Sequence, residues 1–428
     1  MIVKRVKRQE DVLSLNYMRY IRLLLSSVGA WPGAAVAGRR HRVSWLGCYV
    51  MLESLWLIAG HLVFIHHRVH LLSFFVIGDV YITLFLTSLI VVRSVLICTQ
   101  RYGDVMTNFL TNFHLIHFKH KSEYSKKIYE EVNKISLYFT RIMFGMTWTG
   151  VMSFNLTPLF LNYRSGLYHE LIRGQATNLT MQFAVRYSFP GFEQEDHFLL
   201  SSLLNLLFSY MCGFTVCTVD LLLFIIVFQI IGHIRTLRHN LEVFPKPREM
   251  RDSLLKGIAS DRVKFVRNFD DRENARIKTL LDDCVRHHLM IVSFTDEISS
   301  FFGPILGFNY LYHLVTCSLL LVECMEGKGA YMRYGPLTLS TLAQLTQMSV
   351  IFEIVGSESD KLKDAVYFVP WESMSVRNQK QVCFFLSRVQ SPIHVTAFGM
   401  TPVGVQTMGK ILKTTLSYCA FLTSLDSN

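Results

Sequence analysis

Residues 198–231 read FLLSSLLNLLFSYMCGFTVCTVDLLLFIIVFQII, 34 consecutive positions with a single full charge, Asp220. As an α-helix this run would be ~51 Å long, whereas about 20 apolar residues already cross the ~30 Å hydrocarbon layer of a bilayer. It must therefore tilt or continue beyond the membrane. Five other runs pass the same test, at 45–66, 72–98, 135–161, 300–323 and 335–356. A seventh, 402–425 (PVGVQTMGKILKTTLSYCAFLTSL), is weaker because it carries Lys410, Lys413 and several hydroxyls. Composition agrees: of 428 residues, 51% are hydrophobic and 18% charged, where a soluble chain carries about 25% charge. The fold class read from this is an all-α polytopic membrane protein with seven transmembrane helices, spans 1 to 7 in chain order. Nine cysteines, an odd number and mostly inside apolar runs, argue against a secreted disulfide scaffold. No cleavable signal peptide is expected, because the opening MIVKRVKRQEDVL has charge but no apolar core after it.

The basic residues set an orientation. Of 43 Lys and Arg, 36 fall before span 1, between spans 2 and 3, between 4 and 5, and between 6 and 7, with the flanking Arg93, Lys410 and Lys413 included. The positive-inside rule then places the N-terminus in the cytoplasm and the C-terminus outside. The net charge of +11 is read as cytoplasmic loops against a membrane and not as a nucleic-acid surface. Asn178-Leu179-Thr180 is a glycosylation sequon in the predicted outer loop 162–197, in agreement; the sequon at Asn155 lies too near the membrane to count. This topology is the reverse of a G-protein-coupled receptor, and span 3 has no Asp-Arg-Tyr after it. A transporter would show internal symmetry and a broken midplane helix, and neither is visible.

The organisation follows. Residues 1–44 form a cytoplasmic segment with one amphipathic helix, on which Leu13, Tyr17, Ile21, Leu24 and Val28 repeat at helical spacing. Nine basic residues in that segment suit a helix lying on the inner membrane surface, with an ordinary packed helix as the alternative. Residues 45–231 hold spans 1–4. Residues 232–299 form a cytoplasmic helical region whose Leu280, Leu281, Val285, Leu289 and Val292 predict a helix continuing span 5 inward. Residues 300–356 hold spans 5 and 6. Residues 357–401 contain a second amphipathic helix, 371–390, ended by Ser391-Pro392; span 7 (402–425) and a short outer tail (426–428) follow. Bulk beneath the membrane predicts a cytoplasmic helical bundle that anchors assembly.

Enzyme signatures are missing: no Gly-rich phosphate loop, GxSxG, HExxH or paired CxxC occurs, and no cofactor is expected. His114-x-x-His117-x-x-His120 does not follow a standard zinc spacing. Glu53, Asp79, Arg141, Asp220 and Glu353 sit within apolar runs, where ionisable groups pair or face water. Span 7 is the informative element. Gln406, Lys410, Lys413, Ser417 and Ser424 fall on one helical stripe, opposite Val403, Ile411, Leu412, Leu416, Ala420 and Leu422. A polar stripe does not face lipid, so it faces another subunit, a polar partner within the bundle, or water. Several copies around a water-filled pore would satisfy every group. In the outer parts of spans 2, 3, 4 and 6, Phe74, Phe75, Tyr81, Trp148, Met152, Phe208 and Met211, with the hydroxyls of Thr147 and Thr338, suit a small apolar ligand with one or two polar handles.

The C-terminal third resembles the insect odorant receptor family. The resemblance rests on Gly356-Ser357-Glu358-Ser359, Ala365-Val366-Tyr367, Trp371, Arg388-x-Gln390-x-Pro392 and Thr396-Ala397-x-Gly399. It continues through Lys413-Thr414-Thr415-Leu416-Ser417-Tyr418-x-x-Phe421-x-x-x-Leu425, and Gly29-Ala30-Trp31-Pro32 resembles a common opening. Length, span count and inverted topology extend the likeness over the whole chain. Ala420 departs from the pattern, where an aromatic is frequent. The resemblance implies a ligand-gated cation channel, a tetramer with a shared co-receptor, in the plasma membrane of olfactory sensory neurons. It implies a small volatile odorant bound among the outer halves of spans 2–6, and a pore lined by span 7. By position in the signature, Phe421 would lie near the hydrophobic gate with Ser424 and Leu425 beside it; Ser417 would line the pore below, one turn from Lys413. Without the long inner insertion of the co-receptor, the chain resembles an odorant-specific subunit.

Overall fold

The computed structural model describes residues 2–68, 70, 74–172, 181–247, 268–325 and 330–426, and they are mostly helical. The helices are α1 (Ile2–Leu13), α2 (Asn16–Ser27), α3 (Gly33–Val36), α4 (Trp45–Arg68), α5 (Phe74–Ile97), α6 (Gln100–Asn108), α7 (Glu123–Arg164) and α8 (Leu167–Ile172). After them come α9 (Phe198–Glu242), α10 (Asp271–Met325), α11 (Ala330–Tyr367), α12 (Val376–Val389) and α13 (Val405–Asp426). Two residue pairs, Thr396–Ala397 (β1) and Thr401–Pro402 (β2), make a minimal antiparallel hairpin. Among the described residues, four helical stretches are long and apolar enough to cross a membrane: Trp45–Arg68, Gly78–Ile97, Phe198–Glu242 and Asp271–Cys324.

The long helices overrun the spans read from hydropathy. α7 begins twelve residues before span 3, capped by the Ser122 hydroxyl, which accepts the Ser125 amide. α10 runs 55 residues without a break through the predicted boundary at 299/300, although Pro304 lies inside it. The helical continuation of span 5 is therefore one rod with the span. α11 likewise carries eleven residues past the end of span 6.

The helices gather at two ends of the bundle. At the lower end, α2 lies against α7 and α9, while α12 packs on α10 and α11. Tyr17, Met18, Ile21, Leu24 and Leu25 of α2, and Val28 just after it, are buried there with Val105, Phe109, Ile225, Ile230 and Phe294. Of the two readings of the amphipathic N-terminal helix, the packed one holds: its apolar stripe faces protein. A π-helical turn (Phe109–Phe113) and a 3₁₀ turn (Leu115–His117) after α6 lock onto α9. Gln229 accepts the Leu115 amide at 3.1 Å, and His233 Nε2 bonds the Phe113 carbonyl at 2.6 Å. At the upper end, residues 181–197 fold over α4 and α9, tied by Asn162 to both backbone groups of Gln182 and by Asn205 to the Val185 carbonyl.

Candidate functional site

The residues expected to hold a ligand are spread over three seams of the upper bundle. In the first, Phe208 is buried with Leu57, Val185 and Tyr187 beneath the 181–197 segment, and Trp56 stacks on Phe189 with ring centroids 3.9 Å apart. Phe208 thus fills the underside of that lid. In the second, between α7 and α9, Trp148 is 46% exposed and meets Phe214 edge-on at 6.2 Å. Gly213 of α9 lets the α7 side chain Val151 approach, since a Cβ there would lie 2.9 Å from it. Thr147 donates to the Met143 carbonyl at 2.7 Å, and Met152 and Met211 are half-buried. In the third, where α5, α10 and α11 meet, Ile82 and Leu320 bury each other with Cys324 beside them. Cys324 and the Thr338 hydroxyl lie 3.4 Å apart, and Tyr81 is half-buried. The Phe75 side chain lies outside those described, as does the residue Asn178. Asn155, the other sequon position, is buried; it donates to the Val151 carbonyl and accepts from Ser209.

α13 is different. It packs on α10 and α11 along a narrow line of Ile411, Thr415 and Cys419, spaced four residues apart and all buried. Gln406, Lys410, Lys413 and Ser417 are exposed, and so are Leu416, Tyr418 and Phe421, the last at 58%. The seam therefore runs along Thr415, while Leu416 and Ala420 of the face opposite the polar stripe are exposed. Thr414 and Ser417 turn their hydroxyls onto the Lys410 and Lys413 carbonyls of their own helix, at 2.9 Å each. The side chains of Ser424 and Leu425 lie outside those described.

Sequence reasoning missed one constellation. Arg93, counted as a flanking loop residue, is fully buried; its guanidinium donates to Asp220 at 2.7 Å and to Asn309 at 3.1 Å. Asn309 in turn reaches the Met348 sulfur at 3.8 Å. Four helices, α5, α9, α10 and α11, meet at this node. The signal was present: Arg93 interrupts the run LIVVRSVLI, and Asp220 is the one charge of 198–231. Two isolated opposite charges in apolar runs satisfy one another, because either alone in hydrocarbon is costly. Lower down, Glu358 of α11 receives Arg238 at 2.7 Å, Arg235 at 3.5 Å and Lys361 at 3.1 Å. Burial alone would raise the Glu358 carboxyl, but these three cations hold it below the ordinary carboxylate range. Beside this cluster, Arg238, Leu241, Lys246, Lys361 and Phe368 line a groove of about 470 Å³. Of the spaced histidines, His114 bonds Tyr17 at 2.6 Å and His117 bonds the Leu110 carbonyl at 2.9 Å. No metal-binding cluster occurs among the described residues.

The sequence profile of the family described as 7tm Odorant receptor matches residues 73–416. This chain belongs to the insect odorant receptor family. Among curated relatives, odorant receptor 13a of Drosophila melanogaster is 26% identical over 156 residues, covering 33% of this chain and 37% of the relative. Odorant receptor 85a of the same species is 22% identical over 175 residues, covering 40% and 43%. These alignments span less than half of either relative. The olfactory receptor OR5 of Machilis hrabei, solved in complex with eugenol, superposes with a TM-score of 0.72 at 12% identity, over 95% of this chain and 97% of that one. The same receptor without eugenol gives a TM-score of 0.68. Odorant receptors are membrane receptors and not enzymes, and these likenesses extend the family's fold to nearly the whole chain.

Proposed function

We propose that this odorant receptor is the odorant-specific subunit of a ligand-gated cation channel, assembled with the shared co-receptor as a heterotetramer in the plasma membrane of olfactory sensory neurons. Seven helices, α4, α5, α7, α9, α10, α11 and α13, cross the membrane, with the lower end in the cytoplasm and the C-terminus outside. The observation that carries the reading is α13. It bears a line of exposed polar groups, Gln406, Lys410, Lys413 and Ser417, on a helix packed along only a narrow seam. In a membrane those groups need water or a partner. Around a central axis they line a conduit, with Ser424 and Leu425 continuing it past Phe421, the proposed gate.

The odorant binds in the upper seams, where Tyr81, Thr147, Trp148, Met152, Met211 and Thr338 stand, with Phe75 and Phe208 at their margins. Binding opens the pore only to the extent that the odorant prefers the open arrangement. Moving the closed-to-open ratio from 1:99 to 99:1 requires about 10⁴-fold tighter binding to the open form. Whole-cell recording tests this, with and without the co-receptor, against a panel of volatiles and with G-protein signalling blocked. A fast cation current that needs both chains is expected; a response that vanishes with the G-protein block overturns the channel reading. Phe421→Ala is expected to raise the ligand-independent current, and an unchanged baseline at normal surface level removes Phe421 from the gate.

A further inference from the structure

The connector between α12 and α13, residues 393–404, is held to α10 and α11 by a series of backbone and side-chain contacts. On the α11 side, the Ile393 amide donates to the Ser359 hydroxyl at 2.8 Å. The His394 ring sits where a side chain at Gly356 would be. The Val405 amide, in the first turn of α13, donates to the Glu353 carboxylate at 3.0 Å. Glu353, Gly356 and Ser359 are three residues apart, so they share a face of α11.

On the α10 side, the Thr396 amide donates to the Ser299 hydroxyl at 3.3 Å and the Phe398 amide to the Gly303 carbonyl at 3.1 Å. The Gly404 amide donates to the Tyr310 hydroxyl at 3.1 Å. Ser299, Gly303, Gly307 and Tyr310 again fall on one helical face. The Phe398 ring presses on Gly307, where any Cβ would collide with it. To reach that place Phe398 takes φ +52°, a left-handed conformation that costs a residue with a Cβ roughly 1 kcal/mol or more. Strain held by a bulky side chain marks a position whose contact matters more than its backbone comfort.

We propose that this connector is the coupling clamp of the channel, with Phe398, Tyr310 and Glu353 as its positioning residues. It fixes the height and rotation of the first turn of α13, so that a rearrangement of the α10–α11 pair under a bound odorant moves the pore helix. The family-like Gly356-Ser357-Glu358-Ser359 and Thr396-Ala397-x-Gly399 are thereby one device, a cradle and the strap it holds. The inference rests on α13 being the pore helix.

The test uses the full chain with the co-receptor, current normalised to surface protein, and as probe a fixed mixture of volatile phenols, esters, aldehydes and terpenes. Phe398→Gly relieves the backbone but removes the wedge; Glu353→Ala removes the acceptor that Glu353→Gln keeps. Phe398→Gly and Glu353→Ala are expected to shift the ligand-free current, or the mixture dilution giving half-maximal current, by about tenfold, with ion selectivity unchanged and Glu353→Gln close to wild type. Wild-type values of both quantities in Phe398→Gly and Glu353→Ala at normal surface level overturn the clamp, as does altered selectivity, which would place these residues in the conduction path. If Phe398→Gly is lost from the surface, the Glu353→Ala and Glu353→Gln pair decides. Thiol reagents on Ser417→Cys separate the two readings: a current insensitive to them removes α13 from the pore, whatever the clamp variants do.

Discussion

α9 is one unbroken helix with two environments. From Leu221 to Ile234 every side chain except the half-buried Phe228 is buried by protein. In the first turns, Leu199 and Leu203 are 83% and 66% exposed, with Leu200, Leu206 and Leu207 also exposed. Both halves are apolar. The lower half has α2, α7, α10 and α11 around it, whereas the upper half leaves one leucine face largely open, which suits lipid. Hydropathy measures what a side chain avoids, and cannot say whether lipid or protein keeps water away.

The widest test of that contrast is the polar node at the head of the buried half. Arg93→Leu leaves Asp220 without its partner, and breaking a buried pair this way costs about 3–5 kcal/mol. Surface protein and thermal stability in detergent are expected to fall sharply. Arg93→Leu with Asp220→Leu should recover most of the loss, since apolar replacement of both partners is often neutral. No recovery would mean that Asn309 and Met348 depend on the guanidinium for their own arrangement.

Next in size is a matched pair within α9. Leu222→Ala removes a fully buried side chain from the lower core and is expected to cost about 2–5 kcal/mol. Leu203→Ala trims an exposed leucine and is expected to stay within about 0.5 kcal/mol. Thermal midpoints of the two variants, measured side by side, check this; equal losses would show that the upper half is covered by something outside this chain.

A third test uses pH. Burial first, and His117 beside it, lower the His114 pKa to about 3. The Ile116 amide donates to His114 Nδ1, which leaves the proton on Nε2, facing Tyr17. An unfolded histidine takes up a proton near pH 6.5, which the folded one refuses, so stability falls as pH drops through the window from about 6.5 to 3. Between pH 7 and pH 5 the loss is about 2 kcal/mol. His114→Gln should lessen the slope by that share in detergent unfolding curves, with His233, His287 and His288, also lowered by burial, supplying the rest; an unchanged slope would assign it to them alone.

How much of this could be read beforehand depends on whether the deciding interaction is local. Helix existence, the helix running on from span 5, an amphipathic helix within 371–390 (observed from Val376) and the family were legible, because periodicity and motif lie within one stretch of chain. The Arg93–Asp220 pair was not, because its partners are 127 residues apart and several charges in apolar runs competed for the same roles. The seam of α13 was not legible, since Ile411 on it belongs to the apolar face while Thr415 belongs to neither stripe. A stripe of alternating threonine, lysine and leucine gives no sharp moment, and only docking on α10 selects Thr415 over Leu416. Bulk and softness, the marks of a candidate ligand residue, are shared with core packing, as at Phe208, whose seat under the 181–197 segment follows from a long loop that carries no periodic signal.

The smallest expected effect lies at the edge of the contrast, at Trp148. Its ring meets Phe214 edge-on at 6.2 Å while nearly half its surface stays open, so Trp148→Ala should cost about 1 kcal/mol of stability or less. Surface assembly is then expected to stay normal. If the odorant docks along the α7–α9 seam, the same variant removes a large apolar contact from the binding surface and shifts the half-maximal dilution of an activating volatile severalfold, with the ligand-free current unchanged. A variant that loses surface expression would instead make Trp148 a packing residue. An unaltered response would move the odorant to the seam of Tyr81 and Thr338, where α5, α10 and α11 meet.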